Sequence, residues 1–220
     1  MASTKEHKIK IMSNSRIFNG LTHAEIEQIY SEINPVLESY SKEEIVIREG
    51  EREKEFGIVI RDVLRGEKFH MEGNIHLVDV FEAGDIVSLE SVVSRTKIAP
   101  ITIAALTQVE MMSIYIEKLY HCSYIDKIKD NIIELLADEN IKKLYKIDIL
   151  SHTGLRDRIM TYLRIMSQKH HGGAFHIMMT QEQFAQYLSV NRSALSYELN
   201  KMRREGIIDF KKDKFVILKM

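Results

Sequence analysis

The residues best suited to chemistry in this 220-residue chain lie together near its C-terminus. Taking about 100° per residue from Arg192, the side chains of Leu195, Leu199 and Met202 fall between about 280° and 340°, which defines a buried helical stripe. Arg192, Ser193, Ser196, Tyr197, Asn200 and Arg204 fall between about 0° and 140°, a polar face without an acid. Such a face suits a helix that must approach phosphates and base edges. A guanidinium can donate two hydrogen bonds to guanine O6 and N7, so Arg192, in the first turn, is the candidate base reader. A phosphate contact or simple solvation is the alternative for it. Lys211, Lys212 and Lys214 cluster between two apolar runs and suit phosphates.

Other chemistries find less support. The single cysteine, Cys122, excludes a disulfide framework, a four-thiolate iron–sulfur cluster and a thiolate zinc site. It reads as a buried or interfacial thiol in a reducing, cytoplasmic protein. Nine histidines are present, but no His-x-His spacing occurs, so a cupin-type metalloenzyme lacks its ligand cluster. With Gly73-Asn74 as a two-residue turn, His70 pairs with Leu77 and His76 with Met71, which places the two histidines on opposite faces. His170-His171, beside two glycines, reads as a solvated turn. The 11 methionines read as core filler. No metal, cofactor or catalytic residue is expected.

The elements that would carry the polar helix can be read around it. Thr180-Gln-Glu-Gln183 is a capping box, Phe184 and Leu188 share one face, Ala185 is small where a second helix would cross, and Asn191 can cap the next helix. Leu155 to Ser167 is helical and Ala174 to Met179 is a strand. Two helices follow from Thr180 to Glu205, interrupted at Ser189-Val190-Asn191. Ile207–Phe210 and Phe215–Leu218 form a hairpin around the lysines. Helix, strand, two helices and a hairpin is the order of a winged helix-turn-helix.

The front of the chain follows another period. Leu21 to Ile33 is a short helix with Thr22 and Glu25 as a capping box. From Val36 to Ile116, short period-two runs (44–48, 56–60, 75–81, 101–105, 111–116) alternate with glycine turns, as in a β sandwich, roll or barrel. Leu119 to about Leu150 reads as one long helix, with Ile125, Ile128, Ile132, Leu135 and Leu136 as an apolar stripe continued by Ile141 and Leu144. That stripe either packs along the roll or forms a dimer seam, and the persistence of both 3- and 4-residue steps favours the seam. Residues 1–151 hold 19 Lys/Arg against 26 Asp/Glu (−7), whereas 152–220 hold 12 against 6 (+6). Either surface charge has clustered by chance or the basic end meets a polyanion. The longest uncharged stretch, Ile98 to Val109, has 12 residues, too few to span a membrane, and Met1 to Phe18 lacks the apolar core of a signal peptide.

Thr180-Gln-Glu-Gln-Phe-Ala-Gln-Tyr-Leu-Ser-Val-Asn-Arg-Ser-Ala-Leu-Ser-Tyr-Glu-Leu199 with Met202-Arg-Arg-Glu-Gly-Ile-Ile208 resembles the winged helix-turn-helix of the Crp/Fnr family of bacterial transcription regulators. Arg48-Glu-Gly-Glu51 and Phe81-Glu-Ala-Gly-Asp85 resemble strand and turn motifs of that family's cyclic-nucleotide-binding-type roll. The resemblance implies an α+β chain of three parts: an N-terminal antiparallel β roll of jelly-roll type (1–118), a long dimerisation helix and hinge (119–151) and a C-terminal winged helix-turn-helix (152–220). It implies a homodimer on double-stranded DNA with an inverted-repeat site, and adds RNA polymerase and a small effector as partners. The DNA-contacting set would be Thr180, Gln181, Asn191, Arg192, Ser193, Ser196, Tyr197, Asn200, Arg204, Lys211, Lys212 and Lys214.

Departures from the family pattern are informative. Ser189 replaces the usual turn glycine, Glu198 a commonly apolar residue, and Arg61 a strand-turn glycine. Aligned on Gly84-Asp85, the glutamate that grips ribose in cyclic-nucleotide-binding members becomes Leu89, with Glu90 one place late. The Arg-Ser pair for the cyclic phosphate becomes Ala99-Pro100. Losing the phosphate cation removes the strongest charge-assisted contact, so a cyclic nucleotide is not the expected effector. Nor is haem or an iron–sulfur cluster. Ser88, Leu89, Glu90, Ala99 and Pro100 would wall the effector pocket, a largely apolar set suited to a small organic molecule of limited negative charge. The competing reading from another class is an adaptor whose winged domain contacts protein.

Overall fold

The computed structural model describes residues 2–69, 75–170, 173–177 and 179–219. These fall into two compact units, 1–137 and 138–220. The first opens with helix α1 (Ala2–Asn14), a single 3-10 turn (Arg16–Phe18) and α2 (His23–Ile33). The expected capping box starts α2: Glu25 N–H donates to Thr22 Oγ1 at 3.3 Å and Thr22 N–H to Glu25 Oε2 at 2.5 Å. Helix α1 buries Ile9 and Met12, about one turn apart, against α2's Ile26, Ile29 and Ile33 in the same core.

Strands β1 (Val36–Tyr40), β2 (Ile45–Ile47), β3 (Glu55–Arg61), β4 (Leu64–Phe69), β5 (Ile75–Phe81) and β6 (Ile86–Val87) come next. After them run the short helix α3 (Leu89–Val93), β7 (Thr102–Ala105), β8 (Val109–Tyr115) and helix α4 (Ile116–Tyr120). They build two antiparallel sheets, ordered β1-β8-β3-β6 and β2-β7-β4-β5. Val59, Leu64, Val87, Ile103, Ala105, Val109 and Met111 fill one cluster of the roll, while Phe56, Ile58, Met112 and Ile114 join the helices in another. Strand β3 is therefore buried on both faces, which is why it reads as a nearly unbroken apolar run. Its Gly57 lets the Met111 side chain lie across the strand, because a Cβ there would collide with the Met111 sulfur.

The β4–β5 ladder departs from expectation. A bulge between Gly66 and Glu67 shifts the register, so Leu77 pairs with Glu67, His76 with Lys68 and Ile75 with Phe69. This register is not the one a Gly73-Asn74 two-residue turn would set. His70, Met71, Gly73 and Asn74 themselves, like His171, lie outside the described residues.

The long helix is also divided. Tyr124 takes a left-handed conformation (φ 62°) between α4 and α5 (Ile125–Ser151), so the helix expected from Leu119 begins six residues later. Ser123 is tied there to α2, its N–H and hydroxyl donating to Glu32 at 2.6 and 2.7 Å. The stripe expected to form a dimer seam is covered by its own chain from Ile125 to Leu136, whereas its continuation at Ile141 and Leu144 is exposed. Ile128, Ile132 and Leu135 are buried with Ile17, Phe18 and Leu119, and Ile125 and Leu136 pack against the same cluster. The large apolar residues of α5 that remain exposed are Ile133, Ile141, Leu144, Tyr145 and Ile147.

In the second unit α6 (Leu155–Lys169), β9 (Phe175–His176), α7 (Gln181–Tyr187), α8 (Arg192–Arg204), β10 (Ile208–Lys211) and β11 (Lys214–Ile217) surround Ile159, Leu163, Phe184, Leu195, Leu199, Met202 and Phe215. The sheet order is β10-β11-β9. β9 is shorter than the expected strand from Ala174 because β11 pairs with it only at His176 and Phe175.

Candidate nucleic-acid interface

The interface is built from α7, the turn after it, α8 and the β10–β11 hairpin. Gln183 N–H donates to Thr180 Oγ1 at 3.2 Å and Thr180 N–H to Gln183 Oε1 at 2.8 Å, which starts α7 at Gln181. Phe184, Ala185 and Leu188 are buried, and Phe184 packs on Tyr162 and Phe215 with ring centroids at 4.8 and 6.4 Å. Ser189, standing where the family pattern has glycine, takes φ 55° in the left-handed region. The Arg158 guanidinium holds this turn by donating to Leu188 O at 3.0 Å and to His152 O at 2.7 Å.

Asn191 caps α8, its Oδ1 accepting from Ala194 N–H at 2.7 Å and from the Ser193 hydroxyl at 2.8 Å. Leu195, Leu199 and Met202 are fully buried, as their spacing requires. On the opposite face Arg192, Ser193, Tyr197, Asn200 and Arg204 are exposed and Ser196 is half-buried. Tyr197 is 65 % exposed, a large aromatic side chain left outside the core. Asn200 donates to Ser196 O at 2.8 Å, so part of its capacity is used within the helix. Thr180 is exposed and Gln181 half-buried at the start of α7.

Two arginines that sequence reasoning did not single out hold this helix. Arg156 on α6 donates from Nε to Glu198 at 2.6 Å and from Nη1 and Nη2 to Glu205 at 2.7 and 3.1 Å. Glu198, a departure from the family pattern, thus has a partner inside the unit. Arg203 reaches Asp209 at 2.9 Å and lies over the Phe210 ring at 5.6 Å, joining α8 to the hairpin. The helical angle of Arg203 put it on the polar face, but only its partner 6 positions on shows that it faces the hairpin. At the hairpin tip Lys211, Lys212 and Lys214 are exposed. His176 Nδ1 lies 2.8 Å from Asp213 Oδ2 and, as the largest cause, holds that carboxyl below its ordinary range.

Among the acids near the face of α8, Glu198 and Glu205 meet Arg156, Asp209 meets Arg203, and Asp213 lies within hydrogen-bond distance of His176. Arg192 and Arg204 enter no ion pair among the described residues. Such a surface can neutralise phosphates with its free cations and present Arg192, Ser193, Ser196 and Tyr197 to a groove.

In the roll, Ser88 (φ 65°), Leu89 and Ala99 are buried, Glu90 is half-buried and Pro100 exposed. Ser88 meets a residue the sequence did not mark, Glu53, whose Oε1 accepts from the Ser88 hydroxyl at 2.6 Å, while Ala99 pairs through its backbone with Glu51 and Gly50 of the same segment. Cys122 is buried, and burial, aided by the charge of Glu32, pushes its thiol up to about 11. Among the described residues no three His, Cys, Asp or Glu are grouped to hold a metal. No helix among them is long and apolar enough to cross a membrane.

A two-sheet roll followed by a helix-turn-helix with a basic hairpin defines a two-part, winged-helix architecture. Residues 157–220 match the family model of the Crp-like helix-turn-helix domain. No curated protein matches the chain in sequence. Among solved structures, FixK2 from Bradyrhizobium japonicum is similar with 16% identity and a TM-score of 0.61, over 84% of this chain and 98% of that one. A CooA mutant from Carboxydothermus hydrogenoformans gives 18% identity and 0.66, over 87% and 86%. The c-di-GMP-responsive global regulator CLP of Xanthomonas campestris gives 16% and 0.63, over 90% and 100%. The fold of the chain is that of the Crp/Fnr regulators.

Proposed function

We propose that the chain is a DNA-binding transcription regulator of the Crp/Fnr type, acting in the cytoplasm as a homodimer on an inverted repeat and not as an enzyme. The observation that carries this is the acid-free exposed face of α8, capped by Asn191 and braced by Arg156 and Arg203, within a domain that matches the Crp-like model. Arg192 reads a base edge, with Ser193, Ser196 and Tyr197 beside it. Thr180, Gln181, Asn191, Asn200, Arg204, Lys211, Lys212 and Lys214 meet sugar and phosphate. The division of labour is roll (1–118), helix and hinge (119–151) and reader (152–220), with half-sites about 34 Å apart.

Pairing runs through the outward residues of α5, Ile133, Leu144 and Ile147, at 64 %, 57 % and 65 % exposure. They recur at helical spacing, as a seam requires. The roll receives a small effector at Ser88, Leu89, Glu90, Ala99 and Pro100 and passes its binding to the reader and to RNA polymerase. Electrophoretic mobility of a random duplex at low and high salt tests the DNA reading, since phosphate-driven binding weakens steeply with salt. Absence of any shift at low salt would support the protein-binding adaptor instead.

A further inference from the structure

The roll contains a buried carboxyl group with incomplete hydrogen bonding. Glu53, 8 % exposed, lies in the connection between β2 and β3. Its N–H donates to Lys97 O at 2.8 Å, Arg52 bridges to Ile98, and Glu51 O accepts from Ala99 N–H at 2.9 Å. Residues 50–53 and 97–99 thus run as a short ribbon. Its side chain meets the start of α3, where Ser88 donates to Oε1. Oε2 is buried and has no hydrogen-bond partner among the described residues.

No cation among them lies within ion-pair distance of this group. The ribbon's own Lys97 turns away, its Nζ 2.9 Å from Glu117. Burial raises the carboxyl above its ordinary range and the charge of Glu90 adds to this, against the bonded hydroxyl of Ser88 and the nearby hydroxyl of Ser91, which makes no hydrogen bond to Oε2 in the observed geometry. A buried oxygen of this kind is strongly unfavourable unless something donates to it. An anion placed against Oε2 would meet the Glu53 carboxyl itself.

We propose that Glu53 anchors the effector and that the effector carries a cationic nitrogen, a primary amine or an amidine, which donates to Oε2 while Ser88 holds Oε1. This rests on the reading that the roll takes an effector beside Ser88 and Ala99. It adds the chemical class of that effector and the residue that selects it.

The test is thermal denaturation of the full chain with benzylamine, benzamidine or benzoate at matched ionic strength, for the wild type and for Glu53→Gln. At about 10 mM, a millimolar binder shifts the midpoint upward by about 3 °C. At least one of the two cations should do so in the wild type, Glu53→Gln should abolish the shift, and benzoate should give none. Glu53→Asp, which keeps the charge on a shorter arm, replaces the glutamine variant if that one does not fold, and should reduce the shift. A wild type indifferent to both cations, a shift retained without the carboxylate, or an equal shift with benzoate overturns the proposal. Duplex binding measured on the same samples separates the readings. Intact DNA binding with no response to cations removes only the effector class, whereas absent DNA binding removes the regulator reading.

Discussion

Exchanging each of two neighbouring isoleucines of α5 for glutamate should separate folding of the protomer from its pairing. Ile132 is 6 % exposed and Ile133 is 64 % exposed, so one step along the helix moves a side chain from the core to the outside. In Ile132→Glu a carboxylate enters the cluster of Ile17, Phe18 and Leu119 with no partner. Loss of the apolar group alone costs about 2–5 kcal/mol, and the unpaired charge adds to it. Ile133→Glu alters a residue that the protomer already leaves outside, so protomer stability should stay within about 0.5 kcal/mol. A two-fold dimer contains that residue twice. If covering each exposed isoleucine stabilises association by about 1.5 kcal/mol, the pair loses about 3 kcal/mol and Kd rises roughly a hundredfold. Sedimentation velocity from nanomolar to micromolar protein, with thermal melting by circular dichroism, reads both quantities. An Ile133→Glu dimer of unchanged Kd refutes the reasoning. So does an Ile132→Glu chain that melts like the wild type yet dissociates, which would return the seam to the Ile128, Ile132 and Leu135 stripe.

Arg192→Ala should cost about 1–3 kcal/mol per half-site and relax preference at one base pair, whereas neutralising Lys211, Lys212 and Lys214 should weaken all sequences alike and lower the salt slope by up to about one for each phosphate no longer neutralised; selection from a randomised half-site library at two salt concentrations checks both, and unchanged base preference in Arg192→Ala passes the reading role to Tyr197 or Ser196. Ser189→Gly should stay within about 1 kcal/mol of the wild type, because relief of the left-handed strain is offset by greater freedom of the unfolded chain. Ser189→Val should lose more than about 1 kcal/mol, and equal melting of the valine variant and the wild type would count against the observed turn. The raised carboxyl of Glu53 favours the folded state most below its ordinary value of 4.5, and that contribution is lost as pH rises through the higher folded value. Stability of the wild type should therefore fall relative to Glu53→Gln as pH rises above 4.5, and a constant difference in melting midpoint across that range would contradict the burial of the group.

What the sequence by itself determined is local. Thr22 with Glu25, Thr180 with Gln183, and Asn191 with Ala194 are cap partners three residues apart, and all three bonds form. The buried stripe Leu195, Leu199 and Met202 follows from helical period alone. The order of helix, strand, helices and hairpin, and with it the polar face, was legible for the same reason.

Tertiary structure decided what each face meets. Period shows that Ile128, Ile132 and Leu135 share a side of α5 but not whether a partner or the chain's own roll covers it, and here the core with Ile17 and Phe18 does so. The bulge at Gly66 and Glu67, which set the β4–β5 register, depends on a second strand. Glu198 is a misplaced charge in the sequence but finds Arg156, 42 residues away, beside it in the fold, and Glu53 is one more acid in a charged run until Ser88, 35 residues away, closes over it. Caps and stripes are settled by atoms within one helical turn, whereas burial and charge pairing depend on groups that only the folded chain brings within a few ångströms.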